Sequence, residues 1–243
     1  MKVIFSRKGF DSGAGRAPSP IIDGRPQSLP IPTRRRSDTT YGDLGLADVV
    51  EKVTRGRLNG SDLCHFDPMF ENSRCAFGQT GTAQTHLANN GVGVGDVFLF
   101  FGLFVNGDGK DRHHRIFGYL DVEEVVDFGP EPSRSMQPKG FTQQHPHTIG
   151  EWNPNNTLYL GPGVTATSAS SELRLTVPGG PLSQWNIPSW LKQAGLTYHS
   201  KPERWLADGT LSAVARGQEF VSDITGNFEA MDWVNEIKTE IDR

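Results

Sequence analysis

The chain has 243 residues, 35% of them hydrophobic, with 28 glycines and 16 prolines, which excludes a helical bundle and suits a loop-rich α+β or mostly β protein. Its net charge of −4 is unevenly placed: residues 1–60 hold 11 Lys/Arg against 6 Asp/Glu, and the remainder 13 against 22. That balance excludes indiscriminate binding to nucleic acid but leaves room for a local cationic surface in the first sixty residues.

MKVIFSRKGF at the start lacks the apolar core of a signal peptide, and no segment approaches the length needed to span a membrane. The expected setting is therefore the cytoplasm, without a membrane partner. Cys64 and Cys75 are expected as free thiols there. The length suits a single domain over residues 1–243.

Lys2 to Phe5 reads as an opening strand running into Ser6-Arg7-Lys8-Gly9-Phe10-Asp11-Ser12. A polar loop directly after a strand has two readings. Arg7 and Lys8 can hold a phosphate, with Asp11 as a base, or the charges can pair with one another and tie down a turn. The prolines between Ala17 and Pro32 exclude helix and leave short extended pieces flanking a turn at Asp23-Gly24. Arg34-Arg35-Arg36 is either a phosphate-contacting loop or a solvated charge run.

Leu44, Leu46, Val49, Val50 and Val53 recur at helical spacing, with Asp43 as the candidate N-cap and Gly56 after the end. In Cys64-His65-Phe66-Asp67-Pro68, an extended backbone puts His65 and Asp67 on one face, an arrangement for a metal, a His–Asp relay or, most commonly, a hydrogen bond in a turn before Pro68. Thr80 or Thr82 can cap a short helix ending before Gly91. Gln79, Gln84 and His86 are the candidate ligand contacts there, since a glutamine amide can pair with a base edge.

Val97 to Phe104 is an almost unbroken apolar run, which fits a strand buried on both faces. Arg115 to Val126 reads as its hairpin partner, and Asn106 to His114 as a polar, histidine-bearing loop. In His145-Pro146-His147 an extended backbone puts both imidazoles on one face. A metal would need a third donor from His199, His65 or Asp67. The preferred reading makes His145 and His147 base or hydrogen-bond donor in a ligand pocket, and no residue is assigned to a metal.

Asn156–Gly161 and Leu173–Val177 are predicted strands, Gln184–Leu191 a short helix, Leu211–Val221 a final strand and Phe228–Ile241 a terminal helix. Gln218 and Glu219 fall on opposite faces of that last strand, so at most one of them reaches a pocket. Trp152, Trp185, Trp190 and Trp205, with Phe101 and Tyr119, are candidates for stacking a base.

Two resemblances follow from these residues. Gly95-Asp96, the apolar strand after it, Ile116-Phe117-Gly118-Tyr119-Leu120 and Val122-Glu123-Glu124-Val125 resemble the core of ASCH, EVE and other PUA-like domains, small barrels that often read RNA or modified bases. Over nearly the whole chain, SRKGFDS (6–12), PSPI (18–21), LPIP (29–32), FGQTGTAQTHL (77–87), GDVFLFFGLF (95–104), HPH (145–147), NTLYLG (156–161) and RGQEFV (216–221) resemble, in order, the third of the nucleotide-modification-associated domains. That family is named for gene neighbourhoods in phages and bacteria that hypermodify DNA bases. The resemblance implies a base-modification context and carries no reaction or cofactor with it.

The expected fold is α+β, with a mixed sheet or a PUA-like barrel and three or four peripheral helices. The expected partner is DNA or a nucleotide, with a modified base preferred. Ser6, Arg7, Lys8, Gln79, Gln84, His86, His145 and Gln218 are the expected contacts, and Asp11, His147 and Glu219 the expected acid–base groups if the protein is an enzyme. A scaffold without a pocket is the remaining alternative. A pocket with a buried carboxylate would favour the enzyme, and an aromatic cage without one a reader.

Overall fold

A computed structural model describes residues 1–107, 109–215 and 219–243. The strands, in chain order, are β1 (Lys2–Arg7), β2 (Ser19–Ile22), β3 (Arg25–Pro26), β4 (Ile31–Pro32), β5 (Cys64–His65), β6 (Met69–Glu71), β7 (Arg74–Gln79), β8 (Val97–Val105), β9 (Arg112–Asp121), β10 (Glu124–Asp127), β11 (Thr157–Pro162), β12 (Gln184–Trp185), β13 (Leu211–Ser212) and β14 (Glu219–Asp223). The helices are α1 (Ala47–Thr54), α2 (Gly81–Asn89), α3 (Leu191–Ala194) and α4 (Phe228–Asp242).

The apolar run in β8 explains the architecture. Six strands form a mixed sheet around it: β9 pairs antiparallel along one edge, and β1 and then β2 pair parallel along the other. Antiparallel β14 extends the sheet beyond β1. A second, antiparallel sheet runs β10-β11-β7-β6. Phe98, Phe100 and Phe104 face this second sheet, meeting Phe77 and Tyr159, while Val97, Leu99 and Phe101 face the other way, into the cluster that holds Val234, Ile237 and Ile241 of α4. Every residue from Val97 to Phe104 is buried, so β8 has no solvent face to mark with polar residues. The mixed-sheet expectation describes this fold; among the described residues the sheets remain open, and no PUA-like barrel closes.

Local chemistry accounts for several elements. Asp23 and Gly24 both take positive φ (49° and 75°), so the two-residue turn between β2 and β3 has the twist that a hairpin needs. α1 ends in a left-handed residue, Arg55, and Gly56 N–H returns to Glu51 O at 2.8 Å. Asp43 does not cap α1: its carboxylate takes the Thr40 N–H and hydroxyl, and the helix starts after Leu46. Asn227 caps α4 by accepting Ala230 N–H.

Other expectations are corrected. β9 begins at Arg112, so His113 and His114 lie in the strand, and His113 is buried rather than displayed on a loop. The expected strand at 173–177 makes isolated bridges only, from Arg174 to Arg115 and Thr176 to Trp185. Gln184–Trp185 is strand, and the helix after it starts only at Leu191, because Pro188 precedes it in a turn. The expected strand at 211–221 is two short ones, with residues 216–218 outside the described part. Phe228 is exposed rather than on the apolar face of α4. Phe101, Tyr119, Trp185 and Trp190 are core residues, so none of them can stack a bound base.

No helix among the described residues is long and apolar enough to cross a membrane. Cys64 and Cys75 are both buried and free.

Phe98 is fully buried between the sheets, with ring contacts to Phe77, Phe100 and Tyr159. Phe98→Ala is expected to lower unfolding stability by about 3–5 kcal/mol in urea titrations. A loss below about 1 kcal/mol would mean that this interface does not anchor the fold.

Candidate functional site

β1 and β7 both end at one cleft of about 400 Å³, lined by Arg7, Lys8, Gly9 and Asp11 after β1, by Gly78, Gln79 and Thr80 at the end of β7, and by His65, Asp67, His147 and Trp152. A neighbouring cavity of about 510 Å³ shares Lys8, Gly9 and Asp67 as walls and adds Leu44, Phe66 and Phe70. Arg7 and His147, 140 positions apart in sequence, thus line the same cleft.

The cations of the first loop are already partnered. Arg7 bonds Asp11 Oδ2 at 2.7 Å and reaches the Ala215 carbonyl at 3.3 Å. Asp11 Oδ1 accepts Gly13 and Ala14 N–H, both at 2.7 Å, so the Asp11 carboxylate closes its own turn. The ion-paired reading of this loop is therefore part of the structure, and Asp11 has little capacity left to act as a base. Arg7 keeps further guanidinium N–H groups and stays a quarter exposed, with a side-chain value of 25%.

Lys8 pairs with Glu219 Oε1 at 2.9 Å and lies over the Phe77 ring at 4.4 Å. Gln79 Nε2 donates to the same Glu219 oxygen at 2.6 Å, and Gln79 Oε1 accepts Thr80 N–H. Glu219 is buried, and among the described residues its Oε2 has no hydrogen-bond partner. Both ends of the Gln79 amide are thus engaged within the protein, and the residue is buried.

Ser6 is buried within β1 and opposes Glu219 across the strand pair; it does not line the cleft. Gln84 is also buried, accepting the Tyr159 hydroxyl at 3.0 Å. His86 sits beyond the cleft, against Thr197 and the Tyr198 ring, and partial burial lowers its pKa against the opposing pull of Glu219. Gln218 lies outside the described residues.

The HPH segment is a 3₁₀ turn, Pro146–Thr148, instead of an extended pair. Pro146 takes its first position, and His145 caps it by accepting His147 N–H on Nδ1 at 3.2 Å. The turn splits the two rings, so that only His147 lines the cleft, while His145 is buried behind Asp67. His147 stacks on Trp152 at 4.1 Å and 15°, and the Arg36 guanidinium lies 4.2 Å from the same ring. Two groups so close to one ring centre need its two faces, so Trp152 has no face left for a base. Gly78 makes room for the arrangement: a Cβ there would come within 2.4 Å of the His147 ring.

Asp67 stands at the centre. Its side chain is 4% exposed; Oδ1 accepts Gly78 N–H at 3.0 Å, and Oδ2 lies 3.6 Å from Nε2 of both His65 and His147. Burial by itself would raise the Asp67 carboxyl, but the imidazoles of His145, His65 and His147 outweigh it and hold the group well below the usual carboxylate range. Burial pushes His147 down to about 3, against the attraction of Asp67, so its ring is neutral at neutral pH. His65, Asp67 and His147 form a cluster whose ligand atoms all lie within 4.8 Å of one another. His199 is not part of it: its Nδ1 meets Thr197 O and its Nε2 accepts Val214 N–H.

The sequence left the metal unassigned, offering His65 and Asp67 as a metal pair, a relay or a turn hydrogen bond, and as third donors to the His145–His147 pair. The signals were there, in the His-x-Asp and His-x-His spacings, but their meeting depends on how two loops pack onto β7. Trp152 was singled out for stacking, a role its covered faces preclude. Asn156, which holds His147 Nδ1 at 2.6 Å, carried no signal beyond its place at the head of a strand.

The model of the nucleotide modification associated domain 3 family matches residues 2–223. The chain belongs to that family. Every lining residue named above lies within the matched stretch, and membership sets the protein in a nucleotide-modification context. No curated protein and no solved structure matches the chain.

The buried Lys8–Glu219 pair gives a way to separate architecture from chemistry. Glu219→Ala is expected to cost about 3–5 kcal/mol of stability, because it strands the Lys8 charge, and the double variant Lys8→Met/Glu219→Leu to recover most of it. Urea unfolding checks both. Unchanged stability in Glu219→Ala would remove Glu219 from the structural framework and leave it a functional group.

Proposed function

We propose that this cleft is the active site of an enzyme that alters a nucleobase or nucleotide in a DNA base-modification context. One observation carries the reading: a buried carboxylate, Asp67, shares the cleft with two imidazoles and with Arg7, while the one tryptophan there is covered on both faces. The cleft itself gives a reader of modified bases no free aromatic face, since Trp152 is covered, and its Gln79 amide is buried and bonded to Glu219 and Thr80.

Arg7 is the group suited to a phosphate or a developing oxyanion, since it keeps N–H groups beyond those spent on Asp11 and Ala215. The neighbouring cavity offers the half-buried rings of Phe66 and Phe70 as a place for the base, with Asp67 on the wall common to both spaces. Its volume is in the range of small-molecule sites. His147 and Asp67 would then do the chemistry where the two spaces meet, and Lys8 with Glu219 would hold the wall in place.

The test is a titration of nucleosides against their 5′-phosphates, followed by mass spectrometry of phage DNA, unmodified DNA and nucleotides incubated with the protein. Phosphorylated ligands are expected to bind at least about tenfold tighter, and Arg7→Ala to erase that preference. A base or nucleotide mass change is expected, falling about 10²–10³-fold in Arg7→Ala. Binding with every mass unchanged would make the protein a reader, and no binding at all would remove the nucleotide from this cleft.

A further inference from the structure

Asp67 poses an electrostatic problem that the protein's own cations do not solve. A buried carboxylate needs a counter-charge or a metal. Arg7 is paired with Asp11 and Lys8 with Glu219, whereas the ion-pair neighbours of Asp67 among the described residues are all imidazoles: His65, His145 and His147.

The hydrogen bonds around His147 fix where its proton sits. Asn156 Nδ2 donates to the His147 carbonyl at 3.0 Å, which can only accept, so the Asn156 oxygen must be the atom 2.6 Å from His147 Nδ1. Nδ1 therefore carries a proton, and in the neutral ring Nε2 holds a lone pair. Nε2 faces Asp67 Oδ2 at 3.6 Å, too long for a hydrogen bond. In that tautomer two acceptors face each other, an arrangement that a cation between them stabilises.

Asp67 is braced in a complementary way. Oδ1 takes Gly78 N–H at 3.0 Å and has His145 Nε2 at 3.5 Å. His145 Nδ1 accepts from His147 N–H, so in the neutral ring the proton is on Nε2, which has Oδ1 as its ion-pair neighbour and no hydrogen-bond partner among the described residues. Oδ1 is thus held from behind, and Oδ2 is left for the two Nε2 atoms in front.

We propose that His65 Nε2, Asp67 Oδ2 and His147 Nε2 bind one divalent transition-metal ion. Ligands about 2.0–2.2 Å from a tetrahedral ion stand about 3.4 Å apart. Asp67 Oδ2 stands 3.6 Å from each imidazole nitrogen, within a few tenths of an ångström of that spacing, and all three ligand atoms lie within 4.8 Å of one another. Two imidazoles and one carboxylate select zinc, iron(II) or manganese over magnesium and calcium, which favour all-oxygen sites. Asn156, Gly78 and His145 are positioning residues that orient the ligands. Three protein ligands leave coordination positions open toward the cleft, where the ion can polarise an oxygen or activate water.

The inference rests on the cleft of the proposed activity, but its test needs no nucleotide. Protein stripped by a chelator is titrated with Zn²⁺, Mn²⁺ or, without oxygen, Fe²⁺ alone, with Mg²⁺ as the control, and retained metal is counted by elemental mass spectrometry. One equivalent per chain is expected, with at least one of the three ions binding at least about tenfold tighter than Mg²⁺. His65→Ala removes the most exposed of the three ligands, at 18% against 4% and 3%, so it should stay folded by circular dichroism and lose at least about a hundredfold in affinity. Asn156→Ala is expected to lose about 10–100-fold, and Co²⁺ loading to give a visible absorption band that His65→Ala abolishes. Wild-type protein that retains no equivalent would overturn the site, as would metal held with equal affinity by folded His65→Ala. Either result leaves the nucleotide titration unaffected, and absent nucleotide binding would equally leave the metal site standing.

Discussion

The burial of β8 on both faces is the constraint on which the rest of the molecule depends. Phe98 and Phe100 pack against the second sheet and Leu99 and Phe101 against the α4 side, so one strand fixes the separation of three layers. It also positions the cleft. Lys8 N–H bonds Phe101 O at 2.8 Å, which extends the pairing of β1 to the residue where the chain turns. Gly102 permits the approach, because a Cβ there would lie 2.7 Å from Lys8 O. Phe77 joins the phenylalanine cluster from β7 and so places Gly78 and Gln79, the next two residues, at the same end of the fold.

The polar residues of the cleft divide by how their charges are satisfied. Lys8, Gln79 and Glu219 form a closed set under the surface, and Arg7 with Asp11 ties the loop after β1. A buried pair is weak evidence for added stability, because desolvation offsets most of its attraction, but losing one member is strongly destabilising. These residues therefore account for the rigidity of the wall. Asp67 differs in kind: it has hydrogen-bond support on one oxygen and only imidazole nitrogens in front of the other. That asymmetry is the observation on which the proposed metal site rests.

Much of the fold was legible because periodicity and turn chemistry are local. An apolar run without alternation gave β8, Asp23-Gly24 gave the first hairpin, and helical spacing gave α1 and α4 within a few residues. Errors came where context overrides pattern. Leu173–Val177 alternates like a strand, yet Arg174 turns its guanidinium to Asp111 at 2.7 and 2.8 Å and the segment makes only isolated bridges, to β9 and β12. His145-Pro146-His147 is too short for periodicity to decide, and the proline favours the helical turn that separates the rings. The candidate site was legible as residue types and not as partners. Seven histidines offer many pairings, and the one that forms depends on Gly78 lying under His147, a contact 69 positions apart.

The family match ends at residue 223, the last residue of β14, so α4 lies beyond it. The helix still completes the packing of the central sheet: Ala230, Val234, Ile237 and Ile241 are buried in the cluster that holds Val3, Leu99 and Phe101. It covers the face turned away from the second sheet, and none of its residues lines the cleft. Support and chemistry are therefore segregated across β8. On one side a helix closes the core. On the other, the second sheet brings the end of β7 beside the end of β1, and there the buried carboxylate, its two imidazoles and the arginine share one space. A change in how α4 packs would reach that space only through β8 and β1, whose burial leaves little room to move.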